Sequence, residues 1–376
     1  MPKGTLSRRT FLSASIAGGA AMVLARPGRA QAASPQEPDL VWHDVQEWGV
    51  EGKGWNDTIR FFDRFPSRAE GVVPPAVWNL SRHSAGMLVR FKTDAEQIWT
   101  DHAVLSKNLA LTNLSAIATS GLDLYAKDAA GNWKWLSVTR PRSQTTRGAI
   151  ISGLSAGERE YQLYLPLYNG TESLKIGVPA GRTFTPVAPR TEKPIVFYGT
   201  SITHGASASR AGMPHPAILG RRLNRPVINL GFSGSGRMEK EVGMFLCELD
   251  PAVYVIDCLP NMMGPQVEER AAPLVRQLRA ARPETPIVLV EDRTYANAEF
   301  LPATQARQTA SRAALKAAYD TLKKAGVTRL WYLEGESLLG EDREDTADGS
   351  HPNDLGFWRQ ANAFEPVLKE ALASQK

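Results

Sequence analysis

The chain has 376 residues, 44 of them Lys or Arg and 39 Asp or Glu, for a formal net charge of +5, and only two cysteines. That length exceeds one ordinary domain and suits two. Two cysteines exclude a disulfide-rich secreted scaffold, and aromatic-interleaved basic runs of the kind that mark nucleic-acid binding are missing from the sequence.

The amino terminus carries Ser7-Arg8-Arg9-Thr10-Phe11-Leu12, then a mildly apolar Gly- and Ala-rich stretch to Ala25 and a small-x-small cleavage signal at Ala30-Gln31-Ala32. Residues 1–32 therefore read as a twin-arginine export leader, with a periplasmic or secreted mature protein. The apolar stretch is shorter than the roughly 20 residues a spanning helix needs, so no stable membrane insertion is expected. Lys3, Arg8, Arg9, Arg26 and Arg29 all lie in the leader, which has no acid. Removing those five leaves 39 basic against 39 acidic residues, so the charge carries no message about nucleic acid.

Residues 33–189 show short, partly alternating apolar runs at 87–91, 121–126, 161–165 and 173–178, separated by Gly, Asn and Asp turns. That pattern predicts an all-β sandwich. Trp42, Trp48 and Trp55 in this region read either as platforms on which sugars stack or as packing residues. A Pro-, Arg-, Thr- and Glu-containing stretch at 186–194 marks the boundary.

Residues 190–376 alternate apolar strands with helical patterns. Strands are expected at 195–198, 227–230, 253–256, 287–290 and 330–333. Helices are expected near 216–223, 239–249, 266–281 and 303–325, with a last one after Asp354. This is a three-layer α/β/α arrangement on a parallel, flavodoxin-like sheet.

The chemistry gathers at the strand ends. Gly199-Thr200-Ser201-Ile202-Thr203 sets a serine hydroxyl beyond the carboxyl end of the first strand, where open α/β sheets bind ligands. A serine needs a base within hydrogen-bond reach and a third group to orient that base. Asp348-Gly349-Ser350-His351-Pro352 offers both, because Asp348 and His351 lie three apart on a short loop. The plainer reading makes Asp348 a cap for the last helix and His351 a surface residue. Asn229-Leu230-Gly231-Phe232-Ser233-Gly234 and Asp257-Cys258-Leu259-Pro260-Asn261 end two further strands. The backbone N–H groups of Ser201 and Gly234 and the Asn261 amide would form an oxyanion hole; alternatively Gly234 is only a turn and Asn261 a strand-end cap. An α/β-hydrolase elbow would need Gly-x-Ser-x-Gly, and position 203 is Thr.

Ser201, Gly234, Asn261 and His351, with Asp348 three before the histidine, resemble the four blocks of the SGNH (GDSL-like) hydrolase superfamily over residues 194–370. Gly-Thr-Ser stands where Gly-Asp-Ser is commoner, and Leu259-Pro260-Asn261-Met262 where Gly-Gly-Asn-Asp is. Gly121-Leu122-Asp123-Leu124-Tyr125 resembles the Gly-x-Asp-Leu-Tyr mark of a bacterial subgroup with an N-terminal β domain. The resemblance implies a Ser-His-Asp esterase that removes small acyl groups, usually acetyl, from an acylated oligo- or polysaccharide, with no cofactor and no metal. A lysophospholipase or thioesterase of the same fold, and a non-catalytic carbohydrate-binding envelope protein, are the alternatives.

His204, three residues after Ser201, is assigned to the cleft wall, with an alternative role as base in place of His351. Cys247 and Cys258 are expected to be separate thiols. The sequence leaves the oligomeric state open.

Overall fold

The structure, a computed structural model, describes residues 37–374; the expected export leader and cleavage signal lie outside them. Nine strands come first: β1 (Leu40–Asp44), β2 (Leu88–Thr93), β3 (Gln97–Val104), β4 (Asp123–Lys127), β5 (Trp133–Val138), β6 (Thr145–Ser152), β7 (Arg159–Tyr164), β8 (Thr171–Pro179) and β9 (Phe184–Val187). They form two antiparallel sheets, ordered β1-β8-β3-β6 and β5-β4-β7-β2-β9. Phe91, Leu124, Tyr161, Leu163, Leu174 and Ile176 from both sheets fill the space between. Two short helices, α1 (Pro75–Leu80) and α2 (Ala116–Ser120), sit in the connections.

The second half carries β10 (Ile195–Gly199), β11 (Val227–Gly231), β12 (Val253–Asp257), β13 (Ile287–Val290) and β14 (Leu330–Leu333). They pair in parallel in the order β11-β10-β12-β13-β14. β10, β12 and β13 are buried at every residue, as expected for a parallel sheet covered on both faces. The covering helices are α3 (Ser201–His204), α4 (His215–Arg222), α5 (Lys240–Leu246), α6 (Gly264–Ala281), α7 (Pro302–Lys324) and α8 (Asp354–Ala373). Each of the five expected helices from α4 to α8 forms, the largest shift being at the end of α5, which stops at Leu246. A three-layer α/β/α unit on a parallel sheet, preceded by an antiparallel sandwich, is thus the architecture.

The segment between β1 and β2 does not stay with the sandwich. Trp55, Phe65, Val73, Val77 and Trp78 share one core with Tyr198, Leu230, Phe232 and Phe245 of the parallel-sheet half. Trp55 is only 8 % exposed, and its indole N–H donates to Glu248 at 2.6 Å. Trp48 is half-buried and donates to the Arg90 carbonyl, while Trp42 lies against Gly177 under the Arg147 guanidinium. The packing role, not the sugar platform, is what these three side chains show. Cys247 and Cys258 are free, the second fully buried. Among the described residues, no helix is long and apolar enough to cross a membrane.

Candidate active site

β10 ends at Gly199, and Thr200 in extended conformation caps α3 with its hydroxyl on the Ile202 N–H. Ser201 is the first helical residue, so its N–H is one of the donors a helix start leaves unpaired. α3 ends after one turn at Gly205, whose φ of +112° is a conformation that glycine adopts without strain. The Ser201 carbonyl is held three ways, by Gly205 N, Ala206 N and the Tyr168 hydroxyl, the last at 3.2 Å.

Ser201 Oγ lies 2.8 Å from His351 Nε2, and His351 Nδ1 lies 2.7 Å from Asp348 Oδ2. With the Asp348 carboxylate accepting from Nδ1–H, Nε2 is left as the acceptor facing the serine hydroxyl. The other Asp348 oxygen accepts from the N–H groups of His351 (2.9 Å) and Ser350 (3.1 Å). Burial works to raise the Asp348 carboxyl, but these bonds and the imidazole hold it below its ordinary range. The loop is pinned by an Ala347 N to His351 carbonyl bond and by Gly349 at φ +93°, where a Cβ would stand 2.7 Å from the Asn297 amide. Asp348 is not the cap of α8. Asn353 is, accepting from Leu355 N and Gly356 N.

After β11 the chain turns at Phe232–Gly236. Phe232 N donates to the Gly199 carbonyl, and Gly236, at φ +73°, lies so close that a Cβ would be 2.0 Å from that same oxygen. Gly234, at φ +65°, is exposed, and a Cβ there would meet nothing within 4 Å. Asn261 closes a short 3-10 turn after β12, and its side-chain amide donates to the Ser235 carbonyl. The amide has a second hydrogen to offer, so Asn261 is joined to the glycine loop while retaining one donor.

His204 is a correction. It is fully buried and does not wall the cleft; its Nε2 lies 2.7 Å from the Leu167 carbonyl and its ring stacks on Tyr168 at 4.0 Å. Burial first, then the charges of Arg64 and His83, hold it neutral, well below the ordinary imidazole range. All four residues of α3 are buried, and its last position, three after Ser201, is packed into the interior, which accounts for the difference.

Sequence reading missed the parts that brace the site. Arg293 is fully buried and grips Asp257 with two bonds of 2.8 and 3.0 Å; Asp257 accepts in turn from the Thr203 hydroxyl at 3.1 Å. This ties α3 to the end of β12, and burial's pull on Arg293 is outweighed by Asp257. Arg64, from the segment before β2, donates to the carbonyls of Asn229, Gly231 and Leu80 at 2.6–3.0 Å. With no carboxylate among these partners, burial brings its guanidinium down to about 9. Asp123 and Tyr125 of the Gly-x-Asp-Leu-Tyr motif hold the loop after α3: Asp123 accepts from Gly212 N and Arg210 at 2.8 and 2.9 Å. Charged residues at apolar strand ends were the only signal available for Asp257 and Arg293. Among the described residues, no three His, Cys, Asp or Glu side chains are grouped so as to hold a metal ion.

Comparison with known proteins gives the same picture for fold and family. Residues 192–369 match the model of the GDSL-like Lipase/Acylhydrolase family, and residues 40–184 match that of the N-terminus of Esterase_SGNH_hydro-type proteins. No curated protein matches the sequence. Among solved structures, a Bacteroides ovatus ATCC 8483 protein assigned to the GDSL-like lipases is 34 % identical, with a TM-score of 0.85, over 89 % of this chain and 98 % of that one. A salicylyl-acyltransferase from a tetracycline biosynthetic pathway shares the fold at 18 % identity and TM-score 0.68, over 90 % of this chain and 96 % of its own. A family two carbohydrate esterase from Cellvibrio japonicus shares it at 12 % identity and TM-score 0.59, over 90 % of this chain and all of that one. With a relative this similar aligned across nearly its whole length, the chain belongs to the GDSL-like lipase/acylhydrolase family.

Proposed function

We propose that this hydrolase is an exported serine esterase that removes small acyl groups, acetyl above all, from carbohydrate. The observation that carries the reading is the continuous relay Asp348–His351–Ser201, with hydrogen-bond distances of 2.7 and 2.8 Å. In this reading His351 takes the proton of Ser201 as Oγ attacks the ester carbonyl. The oxygen that becomes negative is met by Ser201 N–H, Gly234 N–H and the free Asn261 amide hydrogen. His351 then protonates the departing sugar hydroxyl, and the acyl group stays on Ser201. Water, deprotonated by the same imidazole, releases the acid and restores the serine. Asp348 keeps the imidazole in one tautomer and stabilises its cation.

The substrate class rests on the carbohydrate esterase fold neighbours and on the family's added β region. The division into 1–32, 33–189 and 190–376 and the twin-arginine export route belong to the same proposal. The test is acetate release by the mature protein from acetylated xylan, xyloglucan and mannan, with p-nitrophenyl acetate and a long-chain ester as controls. Ser201→Ala and His351→Ala are each expected to lower turnover by about 10³-fold or more. Activity confined to the long chain, or release that survives Ser201→Ala, would refute the proposal.

A further inference from the structure

Of the nine tryptophans in the chain, two are strongly exposed, Trp135 at 50 % and Trp358 at 49 %. Both line the same open groove of about 640 Å³ between the β4–β5 hairpin and helices α4 and α8. Trp133, two residues before Trp135 and hence on the same face of β5, adds a third indole. The exposed rings are held in place. The Trp135 indole N–H donates to Asp123 at 3.0 Å, with Arg210 over its ring at 5.2 Å, and Arg222 lies over Trp358 at 4.3 Å.

The groove's charge is one-sided. Lys127, Lys134, Arg210, Arg221 and Arg222 line it, and no carboxylate does. Acids behind it pair with four of these cations, Glu160 with Lys127, Asp128 with Lys134, Asp123 with Arg210 and Glu365 with Arg222, but Glu160 is shared with Arg90 and Glu365 with Lys369, so positive charge remains in excess. Arg221 bonds the Tyr164 hydroxyl and the Gly212 carbonyl, and the Asp123 carboxylate acts on it through space.

From this combination we infer that the groove is a second, non-catalytic binding site for a glycan bearing carboxylates, such as a uronic acid-substituted oligosaccharide. Fixed indole faces suit the apolar faces of sugar rings, and guanidinium forks suit their carboxylates. The choice of a glycan over other anions rests on the esterase reading. The groove is joined to the site only through the chain: Arg210 and Met213 belong to the loop that follows α3, and Ser209 of that loop bonds Asp354 at the start of α8. A chain held here is thereby tethered to the surface of the molecule that carries Ser201 and His351.

The test is titration calorimetry on the full mature chain carrying Ser201→Ala, which cannot consume the ligand. The probes are a glucuronate-substituted xylo-oligosaccharide, the unsubstituted one of equal length, and an oligothymidylate of equal charge. The acidic sugar is expected to bind about tenfold more tightly than the neutral one, a gap that narrows in about 0.5 M salt. Trp358→Ala should weaken it about tenfold while Trp358→Tyr stays within about threefold, and Arg222→Gln should reduce the preference for the acidic sugar. Equal binding of both sugars, binding of neither, tighter binding of oligothymidylate, or indifference to Trp358→Ala would each overturn the inference. Acetate release by the wild-type protein is scored apart. Release without sugar binding rejects the groove alone, and binding without release supports the groove and rejects the esterase.

Discussion

His204→Gln separates a core histidine from a catalytic one. In the fold the imidazole is fully buried and held neutral, well below its ordinary value of 6.5, by burial and by Arg64 and His83. In the unfolded chain it titrates near that ordinary value. The folded pKa is depressed, so the stabilisation is complete above the unfolded value and is lost as pH falls toward the folded one. At about pH 7 roughly a quarter of unfolded-state imidazoles carry the proton, and at about pH 5 nearly all do. Integrating the difference over that interval gives about 2 kcal/mol of lost stability from this one residue. Glutamine can still donate to the Leu167 carbonyl but cannot titrate. His204→Gln should therefore cost about 1–3 kcal/mol at pH 7 through the lost stack on Tyr168, yet fall about 2 kcal/mol less than wild type on going to pH 5.

Urea unfolding at the two pH values measures this, and comparing the variant with wild type cancels the titrating groups that, unlike His83, do not adjoin His204. Those include His102, brought by burial to about 3, and His215, held well below its ordinary range by burial and then Arg293; both destabilise in acid in the same sense. Turnover of p-nitrophenyl acetate by the variant should stay within about tenfold of wild type at neutral pH. An unchanged acid sensitivity would mean the ring is not neutral in the fold. A loss of turnover comparable with that of His351→Ala would place His204 in the chemistry after all.

Two further outcomes follow from the oxyanion loop. Asn261→Ala should lower kcat about 10²- to 10³-fold with little change in KM, because in the proposed mechanism its free amide hydrogen meets charge that develops only in the transition state; steady-state kinetics on p-nitrophenyl acetate checks this. Gly236→Ala should destabilise the fold by about 3 kcal/mol or more, since its Cβ would lie 2.0 Å from the Gly199 carbonyl oxygen at a φ of +73°; a thermal melt indistinguishable from wild type would contradict the close approach.

The parallel-sheet half was legible because its strands are short, continuous apolar runs and its helices have clear boundaries, so the strand ends, and with them Ser201, Gly234, Asn261 and the 348–351 loop, could be put at one edge. In the sandwich the pattern fails where a polar residue faces inward. β3 buries Ile98, Thr100, His102 and Val104 and leaves Trp99 and Ala103 half-exposed, so its hydrophobicity singles out neither face. His102 tolerates this because Thr171 stands 3.3 Å from its ring nitrogen, a partner 69 residues away. The same limit hides Arg64 and the Asp257–Arg293 pair: a buried charge is stable only with partners supplied by the tertiary fold, and local sequence does not name them. His204 was misjudged for a related reason. Nearness in sequence to Ser201 says nothing about which way a one-turn helix points its fourth residue.

The boundary near residue 190 divides two patterns of secondary structure, but the core beneath the glycine turn crosses it, and the site depends on that. In the proposed mechanism Ser201 must keep its hydroxyl against His351 while its N–H faces the substrate, which requires the turn to be fixed at both ends. The parallel sheet fixes one end, through Gly199 and the Thr203–Asp257–Arg293 ties. The other is fixed from the amino-terminal half: Tyr168 donates to the Ser201 carbonyl, Asp123 takes Gly212 N in the loop beyond, and Arg64 secures the last residues of β11 just before the glycine turn. Trp55, Phe65 and Trp78 complete the hydrophobic core beneath that turn. The proposed oxyanion site requires donors that do not move as charge develops, and residues before position 170 supply several of the bonds that hold the segments carrying them. The Gly-x-Asp-Leu-Tyr motif thus clamps the loop that follows Ser201, and in the proposed mechanism it serves the chemistry without touching substrate.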